Sequence, residues 1–126
     1  MTQEQNEKLD KIRELMLDYG IRSDAKGFEQ LAHCVLFRNE DRFMPFKQVF
    51  QKAAEATGTT CGMIPHYVKA AIAVSPAFPN RIYEAIGVKL RLYQIYPSLA
   101  IAYLERFLTL PIPRPTRKGG ASDASV

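Results

Sequence analysis

The sequence predicts an all-α fold, a compact bundle of about six helices containing a helix-turn-helix. Three observations predict it. Apolar residues recur at spacings of three and four along most of the chain, which builds one buried stripe per helix. Glycine and proline fall where helices stop and start, as at Gly20, Pro45, Gly58, Gly87 and Pro97. The stretch Val49 to Val74 reads VFQKAAEATGTTCGMIPHYVKAAIAV. There an Ala-rich segment, a turn at Thr57-Gly58-Thr59-Thr60 and a second apolar-periodic segment outline a helix-turn-helix. A chain of 126 residues suits one domain. Its helical part is expected over residues 1–109, with the motif at about 49–74 and a Pro/Gly/Ser-rich, disordered tail over 110–126.

The first helix is expected over residues 2–19, with Leu9, Ile12, Leu15, Met16 and Tyr19 on one side and Gly20 as its left-handed cap. Ile21 then plugs the core. A second helix is expected from about Asp24 to Phe37, capped by Ser23 or Asp24. Phe28, Leu31, Val35 and Leu36 face inward, and Gly27 marks close packing against the first helix. His33 is expected at the surface or half-buried, with no second metal ligand at helical spacing. Asn39 to Arg42 reads as a solvated, charged break.

A third helix starts near Pro45, with Phe46, Val49, Phe50 and Ala53 as its stripe. The helix after the turn has a disputed start. Thr59 or Thr60 suits an N-cap, but Gly62 and Pro65 oppose a helix there, since proline inside a helix removes a hydrogen bond and clashes with the preceding turn. The helix is therefore expected to begin at Ile64 or Pro65, after an irregular or 3₁₀ turn, with Val68, Ala71 and Ile72 inward. Phe78 anchors a linker over 76–79. Asn80 caps a short helix with Ile82, Tyr83 and Ile86 apolar, ending at Gly87. Lys89 to Tyr93 fits a two-turn helix or an extended segment. Pro97-Ser98 starts a last helix to about Leu108, with Ile101, Leu104 and Leu108 inward.

Composition narrows the function. No apolar run approaches the roughly 20 residues of a membrane span, and the mixed-charge N-terminus does not read as a signal peptide. A cytoplasmic protein is expected, with no membrane partner. Cys34 and Cys61 fit no metal spacing and are expected to pack as small hydrophobes rather than pair. No cofactor is expected. An enzyme is not expected either, for want of a nucleophile–base constellation, a phosphate-binding Gly loop or a metal-ligand cluster. The net charge of +4 is uneven: residues 1–60 carry 9 Lys/Arg and 10 Asp/Glu, residues 61–118 carry 8 and 2. The basic half begins at the second helix of the motif, which suits an anionic partner, nucleic acid first; a solvated basic surface would look the same. Arg114 to Lys118 supplies three basic residues in the tail, either a phosphate-contacting arm or a floppy terminus.

Particular residues carry a resemblance. Leu17-Asp18-Tyr19-Gly20-Ile21 followed by Lys26-Gly27-Phe28 and Leu31 is a specific spacing. Phe50, Ala54, Thr59-Thr60, Ile64, Val68, Ala71 and Ile72 form the matching motif, followed by Asn80, Ile82, Gly87, Pro97-Ser98 and Ile101-Ala102. Over about residues 10–108 the chain resembles the C-terminal DNA-binding effector domain of the master response regulator of sporulation initiation in endospore-forming bacteria. The resemblance implies about six helices and a transcription regulator that binds a short DNA box, often in tandem copies. It also implies a last helix that contributes to self-association on DNA.

Two departures accompany it. No receiver domain or phospho-acceptor Asp is read here, so phosphorylation within the chain is not expected. Where that family places Ser, Arg, an aliphatic, Glu and Arg after a small residue, this chain has Gly62, Met63, Ile64, Pro65 and His66 after Cys61. An Arg grips guanine with two hydrogen bonds, worth about 1–3 kcal/mol of discrimination. Met63 cannot.

Two functions follow as expectations. In the first, the chain regulates transcription by binding double-stranded DNA. Thr59, Thr60, Met63, His66, Tyr67 and Lys69 touch the duplex, with Arg81, Lys89 and Arg91 on phosphates. In the second, the motif is a degenerate scaffold for protein contact. Met63, Ile64, Pro65 and Tyr67 then form an apolar patch for a homodimer or an RNA polymerase subunit.

Overall fold

Thr2 opens the first helix. Its hydroxyl accepts the Gln5 amide hydrogen at 3.1 Å, and its own N–H donates to Gln5 Oε1 at 3.0 Å. This reciprocal pair satisfies two amides that no helical carbonyl can reach. The computed structural model describes residues 1–110 and 112. Along them run α1 (Gln3–Asp18), α2 (Phe28–Glu40), α3 (Phe46–Thr57), α4 (Ile64–Ala73), α5 (Ala77–Ile86) and α6 (Pro97–Thr109). Short 3₁₀ turns lie at Cys61–Met63 and Leu92–Gln94, and among the described residues there is no strand. The fold is all-helical, as the periodicity predicts. The expected tail, including Arg114 to Lys118, lies outside the described residues.

The core is built around α2. Every residue from Leu31 to Phe37 is buried, and the helix packs against α1, α3, α4 and α6. A helix apolar on all sides needs neighbours on all sides. Leu9, Ile12, Leu15 and Met16 of α1 cover one flank. At its end the Ile21 amide donates to Met16 O and the Gly20 amide to Leu17 O, with Gly20 at φ 82°. That double bond pattern needs a left-handed residue, which glycine adopts without a Cβ clash. Tyr19 then stacks on Phe107 of α6, ring centroids 4.3 Å apart.

The second helix starts later than the sequence predicts. Asp24 does not cap it; its carboxylate pairs with Arg22 at 2.8 Å, and that guanidinium holds its pKa below the usual value. Residues 22–28 make successive turns, and Gly27, at φ 96°, precedes the first helical residue, Phe28. Its close packing is against Tyr67 of α4, not against α1.

The same helix runs on through Asn39 and Glu40, where a solvated break was expected. The cause is Glu105 of α6, only 5% exposed. A buried carboxylate needs partners. Asn39 Nδ2 donates to it at 3.0 Å and Arg42 Nε at 3.3 Å, while Lys8 of α1 donates to Asn39 Oδ1 at 2.6 Å. The charged stretch thus ties three helices together. His33 is buried rather than superficial, its Nδ1 2.7 Å from Glu29 O.

The fifth helix begins at Ala77, not at Asn80. Pro79 sits in the first turn, where its missing N–H costs nothing, and Phe78 is fully buried, as expected of an anchor. Of its expected apolar face only Ile82 is buried; Tyr83 and Ile86 are exposed. Lys89 to Arg91 is not helical, and Leu92 to Gln94 makes one 3₁₀ turn. The last helix keeps its expected start at Pro97, with Ala100, Ile101, Leu104 and Phe107 inward and Leu108 half-buried.

Candidate functional site

The site is set by how α3 hands over to α4. Gly58 ends α3 at φ 73°, and the Thr59 amide donates back to Ala54 O at 3.0 Å. Thr60 is extended, and residues Cys61–Met63 form a single 3₁₀ turn closed by Met63 N–H to Thr60 O at 3.0 Å. The α-helix begins at Ile64 with Pro65 in its first turn. The late start predicted from Gly62 and Pro65 is present, for the predicted reason: Pro65 is admitted only where no helical bond needs its nitrogen. The arrangement of α3, turn and α4 is compatible with a helix-turn-helix.

Ile64, Val68, Ala71 and Ile72 bury one side of α4. With about 100° between successive residues, His66 and Ala73 form the opposite crest. Lys69 lies on one flank of that crest, and Met63, Tyr67 and Ala70 lie on the other. Met63 is 42% exposed. Together with Lys26, the residues Met63, His66, Tyr67 and Ala70 line a shallow recess of about 320 Å³. Lys26 Nζ stands 5.7 Å from the Tyr67 ring centroid, within cation–π range. The Lys69 flank opens into a larger, mainly apolar groove of about 530 Å³, whose walls include Ile72, Ala73, Leu92, Tyr93 and Tyr96.

The expected DNA-contact residues divide accordingly. Thr60, Met63, His66 and Lys69 are exposed at or near α4, and Thr59 and Tyr67 are half-buried beside them. Lys89 and Arg91 are exposed on the segment leading to the 3₁₀ turn that walls the groove, with Lys89 Nζ 5.7 Å from the Tyr83 ring. Arg81 is a correction. It is 8% exposed, its Nη1 donates to Asp18 O at 3.2 Å, and its Nε lies 3.7 Å from Glu84. The last carbonyls of a helix have no helical donors and carry partial negative charge. Arg81 answers that need at the end of α1 and does not face outward. The expected apolar patch is corrected too, because Ile64 points into the core at 0% exposure, leaving Met63 as its one exposed large side chain.

Lys26, Tyr93 and Tyr96 belong to this surface and are not among the contacts expected from the sequence. Lys26 was within reach, since it stands in the Lys26-Gly27-Phe28 signature; no local pattern points to the tyrosines, which are 79% and 58% exposed. Acidic residues are sparse along the chain around α4, although Asp24, paired with Arg22, stands two residues before Lys26. From Ala56 to Leu104 the only acidic residue is Glu84, and it lies beside Arg81. Cys61 is half-buried with Sγ 3.8 Å from Lys47 O, whereas Cys34 lies in the core, where burial pushes its thiol up to about 12.

Comparison of the chain with protein families, curated proteins and solved structures gave no match. Among the described residues no helix is long and apolar enough to cross a membrane.

Proposed function

We propose that this chain is a DNA-binding transcriptional regulator. The observation that carries the reading is the outward face of α4: an exposed helix entry flanked by Lys26 and Lys69, followed by a chain whose only acidic residue from Ala56 to Leu104 is Glu84. A helix with one side in the core and the other facing outward suits a major groove, its N-terminal residues meeting base edges. Met63 and His66 then stand at the bases, Thr59 and Thr60 at the adjoining backbone, and Lys26, Lys69, Lys89 and Arg91 on phosphates. Such contacts place the protein and supply most of its affinity, while base contacts supply its selectivity.

Salt titration of binding to random duplex DNA tests this. About four phosphate contacts give a log–log slope of about −3 to −4, each contributing about −0.9. Absence of binding at about 50 mM salt refutes the reading.

The apolar groove favours a second reading, association with another copy of the chain. Tyr93 and Tyr96 are tyrosines exposed beside Leu92 and Ile72, and aromatic side chains of this kind anchor protein interfaces. Here α4 is a wall of the contact rather than a reading head. Sedimentation of the intact chain separates the two: a dimer that Tyr93→Ala dissociates, with no binding to duplex, supports the second reading alone.

A further inference from the structure

We infer that Met63 is a base-reading residue whose target is the C5-methyl group of thymine. The inference rests on the DNA-binding reading above and names what that surface selects.

Met63 ends the 3₁₀ turn and caps the entry to α4. That position is where a groove-inserted helix comes closest to base edges. The side chain is exposed, and its neighbour Gly62 has no atom within 4 Å of where a Cβ would lie. The space beside Gly62 is therefore open. On the helix side His66 follows three residues on and Tyr67 four, and all three line the same recess with Lys26. The result is an apolar tip bordered by an imidazole, a phenol and an ammonium group.

Major-groove chemistry limits what such a tip can recognise. Guanine, adenine and cytosine offer donors and acceptors there, and thymine alone adds an apolar group, its C5-methyl. A thioether side chain is unbranched and polarizable, and it gains by lying against a methyl group. Against the polar edges of the other bases it would strip water without replacing the lost hydrogen bonds. His66, one turn along, supplies one ring donor and one ring acceptor when neutral and serves a neighbouring base edge. Lys26 and Lys69, on opposite flanks of α4, hold the phosphates that fix the register. Thymine is selected under Met63 by contact with its methyl and by the cost of setting any other base there.

The test uses the intact chain. A preferred duplex is selected from a pool of random-sequence duplexes, then resynthesised with deoxyuridine replacing each thymidine in turn. Deoxyuridine keeps the base pair and removes only the methyl group. We expect one position where this replacement weakens binding about fourfold, the worth of one buried methyl group. Met63→Ala and Met63→Gln should bind the thymidine and deoxyuridine duplexes equally, and Met63→Leu should keep the difference. Circular dichroism of each variant checks that the helices are intact. If no methyl matters, or if the effect of that methyl persists in Met63→Ala, Met63 is not the reader, although the chain still binds DNA. If no duplex binds at all, this inference and the reading beneath it both fall.

Discussion

Gly27 lies against the carbonyl of Tyr67, so closely that a β-carbon on Gly27 would overlap the Tyr67 carbonyl oxygen. The turn that leads into α2 thus rests on the backbone of α4. This contact sets α4 against the core and brings Lys26 over the Tyr67 ring.

Gly27→Ala should therefore be severe. Left-handed backbone costs a residue with a Cβ about 1–2 kcal/mol, and forcing a carbon into filled space costs about 1–3 kcal/mol more. A loss of about 3 kcal/mol is expected in urea unfolding. Gly62→Ala is the contrast, because nothing lies near its Cβ position and its φ is not left-handed. It should be neutral or raise stability by about 0.4–1 kcal/mol by restricting the unfolded chain. Equal midpoints for the two variants would contradict the contact.

Arg81 and Lys69 should separate stability from binding. Arg81→Leu removes the donor to Asp18 O and should cost about 1–3 kcal/mol of folding stability. DNA affinity per folded molecule should be unchanged. Lys69→Ala should leave the unfolding midpoint alone and reduce the salt slope of duplex binding by about 0.9. A large loss of slope in the Arg81 variant would return that residue to the binding surface.

Glu105 and Arg42 should both matter to folding, the cation because it answers a buried carboxylate. Glu105→Ala leaves Asn39 and Arg42 without their shared acceptor and should cost about 1–3 kcal/mol. Arg42→Ala should cost at least as much, since it leaves the buried Glu105 carboxylate with Asn39 as its remaining side-chain donor. Thermal unfolding of both variants in one buffer decides the order.

Cys34 gives a pH test. Burial holds its thiol at about 12, above the ordinary 9.0. The folded chain then keeps a proton that the unfolded chain releases, so stability falls as pH rises above about 9 towards 12. The stability gap between wild type and Cys34→Ala should narrow over that window. At neutral pH an alkylating reagent should modify Cys61 in the folded protein and reach Cys34 only after unfolding.

Most of the helices were legible because apolar residues recur at helical spacing, as Leu9, Ile12 and Met16 do in α1. The turn before α4 was legible because Pro65 restricts backbone geometry by covalent structure alone. Tertiary demands were not legible. Asn39 and Arg42 look like loop residues until Glu105 is brought beside them from α6, and Arg81 looks like a surface cation until α5 delivers it to the end of α1. Gly27 advertised a close contact but not its partner. Of the candidate residues, Thr60, Met63, His66 and Lys69 are exposed at or near α4 as the motif implies, whereas Tyr93 and Tyr96 come beside α4 only through the path of the chain between α5 and α6.

The open space around Gly62, at a turn whose neighbours Met63 and His66 also face outward, has an evolutionary consequence. At position 62 a side chain can be added without its β-carbon meeting Ile64 or Val68. On the DNA-binding reading proposed above, the preferred site could then drift while the scaffold stays fixed. The same few positions offer a place to install a chosen specificity, beginning with an arginine at position 62, at almost no cost to folding.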